Sequence, residues 1–330
     1  MRALVTGGGG FLGGAIVARL LNRGDTVRVL ARGDYPALAA RGVECQRGDL
    51  GDLGAVRRAA EGCDVVFHVA ARAGVWGPYD AYYQPNVVGT ENVIAACRQL
   101  GVPKLVHTST PSVTFEGRDE DGIDESAPIA RNFLCHYART KALAEQRVLE
   151  ADGPRLATVA LRPHLIWGPG DNHLVPRILA RAKAGRLRLV GRGMNRVDST
   201  YIDNAAEAHL LAADALAPGS PCAGKAYFIS NGEPLPMGAL INRILAAGGL
   251  PPVTRRIPAW AAWGVGAAME AAWRLAGREE EPLMTRFVAR QLATAHWFDI
   301  GAARRDFGYV PRVSIDEGMR HLANWLARGA

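Results

Sequence analysis

The chain of 330 residues lacks paired cysteines, long uncharged apolar runs, low-complexity linkers and internal repeats. Its five cysteines, Cys45, Cys63, Cys97, Cys135 and Cys222, are scattered with no Cys-x-x-Cys spacing, which argues against a disulfide framework or a structural zinc site and suits a reducing, cytoplasmic setting. His68 has no second ligand candidate at metal-binding spacing, so it reads as structural and no metal is expected. Met1 runs at once into an apolar, strand-like stretch, so an export leader is not expected. The segment 257–277 is apolar but carries Glu270 and Arg274 and is marginal for a bilayer span of about 20 residues. No transmembrane helix is expected there, while peripheral contact with lipid stays open. Basic residues outnumber acidic ones 39 to 32, a net +7, yet no helix-turn-helix or RNA-binding pattern organises them, and nucleic acid is not an expected partner. The densest basic stretch, Arg177, Arg181, Lys183, Arg186, Arg188, Arg192 and Arg196, reads as exposed helix or as the surroundings of an acidic substrate or partner.

What is present is ordinary globular composition, 48% hydrophobic and 22% charged, with length for about two domains. Short β-branched runs at 3–6, 26–31, 64–70, 104–109 and 158–162 alternate with helix-forming stretches at 11–23, 89–100 and 137–150. Thr90 with Glu91 and Asn92 reads as a helix start and Gly101 as a stop. This alternation predicts an α/β fold, a Rossmann-type doubly wound parallel sheet with a smaller, mostly helical C-terminal substrate lobe. The dinucleotide-binding domain is expected over 1–162, with returning segments near 197–215 and 225–230; the substrate lobe takes 163–196 and 231–330. On a helical wheel Val265, Met269 and Trp273 form one stripe of the 257–277 segment, and Trp260 and Trp263 share the other side with Glu270 and Arg274. Such a helix packs on the core or a subunit interface, walls an apolar substrate channel, or touches lipid.

Gly7, Gly10 and Gly13 follow the first predicted strand and open the first predicted helix, where glycines permit a tight turn and close approach of a pyrophosphate to the helix N-terminus. Phe11 and Leu12 lie between them as further cofactor contacts. At the end of the second strand Arg32 stands where a carboxylate would hold the ribose 2′-hydroxyl of NAD, which favours NADP(H); Asp34 nearby keeps NAD(H) open. Asp49, followed by Leu50, could accept from an adenine amino group or cap a helix. Ala70 ends the fourth strand with the small side chain that a passing cofactor needs. Tyr137 and Lys141 are one helical turn apart and project from one face, so a neighbouring ammonium is expected to lower the phenol toward neutrality and make it a proton donor to a reduced carbonyl. Thr110 is the expected substrate-orienting hydroxyl, with Ser112 as its rival, while Thr108 or Ser109 supports the backbone.

Taken together, Thr6-Gly-x-x-Gly-x-x-Gly13, Asp49, Asn86 within Asn-Val-Val-Gly-Thr90, Thr110, Tyr137-x-x-x-Lys141, Arg162-Pro163 and Tyr201-Ile202-Asp203 resemble the extended short-chain dehydrogenase/reductase superfamily over essentially the whole chain. The stretches 73–77, 165–172 and 228–234 resemble its 3β-hydroxysteroid dehydrogenase-like branch, and in particular bacterial keto-acid reductases of long-chain olefin biosynthesis. The resemblance implies catalysis by Thr110, Tyr137 and Lys141, and cofactor contacts that include Tyr137, Lys141 and Pro163. It further implies NADPH-dependent reduction of a long-chain 2-alkyl-3-oxoalkanoate to the 2-alkyl-3-hydroxyalkanoate, by a homodimer working with a β-lactone synthetase and a β-lactone decarboxylase. Arg177 or Arg181 is the expected partner of the substrate carboxylate. Rival readings are a sterol dehydrogenase, a nucleotide-sugar epimerase or dehydratase, for which Asn172-His173-Leu174-Val175-Pro176 speaks mildly, and a non-catalytic NADP sensor. The Trp-rich helix favours an apolar substrate.

Overall fold

The computed structural model describes residues 1–329. Seven parallel strands form the central sheet: β1 (Arg2–Thr6), β2 (Thr26–Ala31), β3 (Glu44–Arg47), β4 (Val65–His68), β5 (Lys104–Thr108), β6 (Ala157–Pro163) and β7 (Lys225–Ile229). Their spatial order is 3-2-1-4-5-6-7, so the order reverses between β1 and β4. That reversal opens a crevice at the strands' C-terminal ends, where ligands of such sheets bind. Register pairs Thr6 with Leu30 on one side and with His68 on the other, bringing the three strand ends level.

Both faces of the sheet's centre are covered, which is why β1, β4 and β6 are buried along almost their whole length rather than alternating, whereas the edge strand β3 (Glu-Cys-Gln-Arg) is mostly exposed. Ala3 and Val5 face one layer, made by α1 (Phe11–Asn22) and α6 (Ile202–Ala215); Leu4 faces the other, made by α2 (Leu53–Ala60), α3 (Gly89–Leu100) and α4 (His136–Glu150). Leu12, Ile16 and Leu20 recur every fourth residue of α1 and are all buried, each apolar side chain worth about 1.5–3 kcal/mol. Between α4 and α6, α5 (Leu174–Lys183) buries Val175 and Leu179 and turns its arginines outward.

Thr90 does not start a helix. The chain is already helical from Tyr79, passes through a π-helical turn at Gln84–Val88 and runs on as α3 to Gly101, because Thr90 is fully buried and bonds inward. The C-terminal lobe is also less purely helical than its composition suggests. Leu235–Pro236, Arg196–Val197, His296–Phe298 and Glu120–Ile123 form a four-stranded sheet, so a segment from the first half of the chain joins the second.

In α7 (Ala259–Leu275) the buried residues are Ala262, Gly266 and Glu270. Small residues win because α8 (Arg286–Ala293) starts against them: a methyl on Gly266 would lie 2.6 Å from the Thr285 carbonyl carbon. Val265 is exposed, as are Trp260 and Trp263. No helix among the described residues is long and apolar enough to cross a membrane.

Candidate active site

The glycine-rich turn is built for close approach. Gly7 has φ +71°, and a Cβ there would stand 2.9 Å from the Ala70 Cα, so the turn and the end of β4 touch backbone to backbone. A methyl on Gly13 would overlap the Gly7 carbonyl oxygen. Gly10 caps α1 without a side chain, which leaves the helix's first amides facing a cleft of about 410 Å³ bordered by Gly9, Phe11, Gly170, Asn172 and Tyr201. Bare amides at a helix N-terminus suit a pyrophosphate, and these residues fit a dinucleotide. Arg32 is exposed just beyond β2, and Pro163 closes β6. Asp49 is exposed in a turn, accepting from the Gly51 amide; the helix-capping role belongs to Asp52, whose side chain accepts from Gly54. Leu50 is half-buried behind it, close against Gly89.

His68 is structural, and its hydrogen bonds can be given directions. Val69 and Ala70 amides donate to Thr6 Oγ1, and Thr90 Oγ1 donates to the Asn86 carbonyl. Thr6 Oγ1 therefore donates to His68 Nδ1 and His68 Nε2 donates to Thr90 Oγ1, both at 2.9 Å, which requires a neutral ring. Burial, with the Lys141 charge adding to it, holds His68 down at about 3. Asn86 continues the chain: it takes the Arg72 amide, gives to the Arg72 carbonyl and gives to Thr140 Oγ1, which in turn donates to the Tyr137 carbonyl.

Tyr137 stands at the start of α4, half-buried among Val75, Phe133 and Cys135. Thr110 Oγ1 donates to Ser112 Oγ and accepts from the Ser112 amide, each at 3.3 Å, so the two candidate hydroxyls sit together at the end of β5. Burial pushes the phenol up to about 12, with the nearby Thr110 hydroxyl opposing it. The expected lowering by Lys141 is not what the geometry delivers. Lys141 Nζ donates to the Thr108 carbonyl at 2.6 Å and to His107 Nε2 at 3.1 Å, and burial brings it down to about 7, with the Glu145 carboxylate opposing. The cation thus serves the end of β5 first.

Three contributors escaped sequence reasoning. His107, fully buried, is the acceptor for Lys141. Glu145, one turn past Lys141, meets Arg162 of β6 in a buried two-bond ion pair that sets the lie of α4 on the sheet. The spacing Tyr137, Lys141, Glu145 was its available signal. Arg274 is the third, on the wall of a second pocket of about 440 Å³, where Val75, Trp76, Phe133, Cys135 and Trp273 supply apolar surface, and Val75, Phe133 and Cys135 also pack against Tyr137. Arg177 and Arg181 are not there: Arg177 pairs with Glu281 and Arg181 donates to the Leu283 carbonyl, so both tie down the 281–283 segment.

A Rossmann crevice, a helix-borne tyrosine and lysine, and a hydroxyl at the end of β5 define a nicotinamide-dependent oxidoreductase acting on an alcohol or ketone. Residues 4–257 match the 3-beta hydroxysteroid dehydrogenase/isomerase family, and the chain belongs to it. It is 58% identical over 325 residues to a 2-alkyl-3-oxoalkanoate reductase of Stenotrophomonas maltophilia, covering 98% of both chains. It is 35% identical to a decarboxylating sterol-4-alpha-carboxylate 3-dehydrogenase of Mus musculus, over 96% of this chain and 89% of that one. Among solved structures, the UDP-glucose 4-epimerase of Thermus thermophilus in complex with NAD superposes with a TM-score of 0.75 at 28% identity, each chain covered completely.

Proposed function

We propose that the protein reduces a long-chain 2-alkyl-3-oxoalkanoate to the 2-alkyl-3-hydroxyalkanoate with NADPH, as a step in olefin formation. The observation that carries the reading is the packing of Tyr137 against Val75, Phe133 and Cys135, three residues that also line the apolar second pocket. The names of the two relatives share one chemical unit: a carboxylate on the carbon next to the one that is oxidised or reduced. When bound, the nicotinamide supplies hydride to the carbonyl carbon. The chain's own residues do the rest: Thr110 orients the carbonyl oxygen, and Tyr137 releases its proton to that oxygen as charge develops there. A phenol held at about 12 keeps its proton until an alkoxide, a stronger base, appears beside it. Lys141 uses two of its three N–H donors within the protein, which leaves one for the nicotinamide ribose.

Gly7, Gly10, Phe11, Leu12, Gly13 and Ala70 would hold the pyrophosphate side, Asp49 and Leu50 the adenine side, and Pro163 the nicotinamide side; Arg32 supports the choice of NADPH by offering a guanidinium to a 2′-phosphate. The lobe division at 162, a cytoplasmic homodimer, and work alongside β-lactone-forming and decarboxylating enzymes belong to the same reading. Five free cysteines support the cytoplasmic part of it. The test is cofactor consumption with a 2-alkyl-3-oxo acid, a steroid and a nucleotide sugar, using wild type and Tyr137→Phe. The keto acid should be reduced with NADPH, and Tyr137→Phe should bind NADPH normally while turnover falls by about 10²–10⁴. Near-normal turnover by that variant, or turnover of the nucleotide sugar alone, overturns the proposal.

A further inference from the structure

The second pocket carries more positive charge than its own carboxylate neutralises. Three guanidiniums, of Arg274, Arg278 and Arg286, and the His136 ring share its wall with one buried carboxylate, Glu270. Arg286 claims that carboxylate: its backbone amide bonds at 2.7 Å, its Nε at 2.8 Å and its Nη2 at 2.8 Å. Arg278 lies over the Trp273 ring and reaches Glu280. Arg274 is the one left with spare capacity. Its guanidinium lies 5.4 Å from the Trp76 ring centroid, touches Glu270 only at 3.5 Å, and its side chain is 62% exposed.

That posture is informative. An aromatic face fixes the plane of a guanidinium without using its N–H donors, so the edge stays free for a two-bond contact with a planar anion. The charge also acts near the chemistry, because Arg274 is among the groups that, after burial and Arg139, lower His136, the residue next to Tyr137. Trp76, Trp273, Val75 and Phe133 around it would receive alkyl chains.

We propose that Arg274 is the specificity residue that anchors the substrate's free carboxylate, and that the enzyme thereby selects 3-oxo and 3-hydroxy acids over their esters and over simple ketones. This rests on the reading of the site as a 2-alkyl-3-oxoalkanoate reductase and adds to it the group that recognises the acid. In such a substrate the carboxylate and the reacting carbonyl sit on adjacent carbons, so one anchored group places the other. The remaining donors of the wall are committed to Glu270 and Glu280, which is why the role falls to Arg274 rather than to its neighbours.

The experiment runs the reaction in the oxidative direction, with NADP⁺ and a stable 2-alkyl-3-hydroxyalkanoic acid or its methyl ester, for wild type, Arg274→Gln and Arg274→Lys. Wild type should prefer the acid. Arg274→Gln should raise KM for the acid by on the order of 10- to 100-fold with little change in kcat and leave the ester untouched, and Arg274→Lys should recover part of the loss. Cofactor binding by both variants reports that they are folded, and Arg274→Lys alone decides the matter if Arg274→Gln is not. An unchanged acid-to-ester ratio in the variants, with wild type active on the acid, overturns the role of Arg274 and leaves the reductase reading standing. A wild type that oxidises neither acid nor ester overturns both.

Discussion

Replacing Lys141 by methionine should make the protein more stable while silencing it. In the folded chain the amine is 2% exposed and is brought from its ordinary 10.5 down to about 7 by burial. The unfolded chain therefore binds more protons than the folded one between about pH 7 and pH 10.5, and stability rises with pH through that window. Below pH 7 both states carry the charge, and the folded state bears the full cost of burying it. At about 1.4 kcal/mol per pH unit, the difference between 10.5 and about 7 corresponds to about 5 kcal/mol. Methionine removes that cost but leaves the Thr108 carbonyl and His107 Nε2 without their donor, a loss of about 1–3 kcal/mol. Lys141→Met should thus gain about 2–4 kcal/mol at pH 6, with the gain shrinking or reversing by pH 10. Urea unfolding midpoints at both pH values, with turnover measured alongside, check this. A variant equally or less stable than wild type at pH 6, or a difference that does not change with pH, refutes the account of Lys141 as a buried charge kept for function.

Gly13→Ala should destabilise the protein by about 1–3 kcal/mol and abolish NADPH binding, since the added methyl runs into the Gly7 carbonyl rather than into a flexible side chain; thermal melts and fluorescence titration measure both, and intact binding would show that the turn is free to shift. Arg32→Asp should raise KM for NADPH by on the order of 10- to 100-fold while NADH use holds or improves; equal losses with both cofactors would remove Arg32 from the 2′-phosphate.

The sheet was legible because parallel strands buried on both faces read as uninterrupted apolar runs, and the glycine turn because its spacing answers to a backbone contact with Ala70. What misled was mostly side-chain direction. Thr90 looked like a helix start since its hydroxyl is the kind that caps helices, but its partners, Asn86 and His68, lie four residues back and on another strand. Arg177 and Arg181 looked available for a substrate because Glu281 and Leu283, about a hundred residues on, could not be foreseen as their partners. The wheel of α7 described two apolar stripes without choosing between them; the buried line is Ala262, Gly266 and Glu270, because Thr285 comes close enough to Gly266 to leave no room for a side chain. Lys141 was read as serving Tyr137 because the two share a helix face; that it first bonds the end of β5 depends on how far α4 leans toward the sheet, which Glu145 and Arg162 set.

These displaced readings meet in one arrangement. The thread from Thr6 through His68, Thr90, Asn86 and Thr140 to the Tyr137 carbonyl joins the cofactor turn to the helix that carries the phenol, and every hydroxyl in it both gives and takes a bond. A fully satisfied buried network of this kind has one low-energy arrangement, because a slip at any member strands a donor in a region water does not reach. Lys141 fixes the opposite side of the helix to β5, and the Glu145–Arg162 pair fixes its next turn to β6. Three ties, anchored on β1 with β4, on β5 and on β6, leave α4 little freedom to tilt, so the position of the phenol relative to the glycine turn is set by buried polar bonds more than by apolar packing. Apolar contacts tolerate small shifts, whereas hydrogen bonds between groups of fixed direction do not. A site that must hold a proton donor at hydrogen-bond distance from a reacting carbonyl, to within about 0.5 Å, gains from that intolerance, and it explains why so costly a set of buried polar groups is concentrated on this one helix.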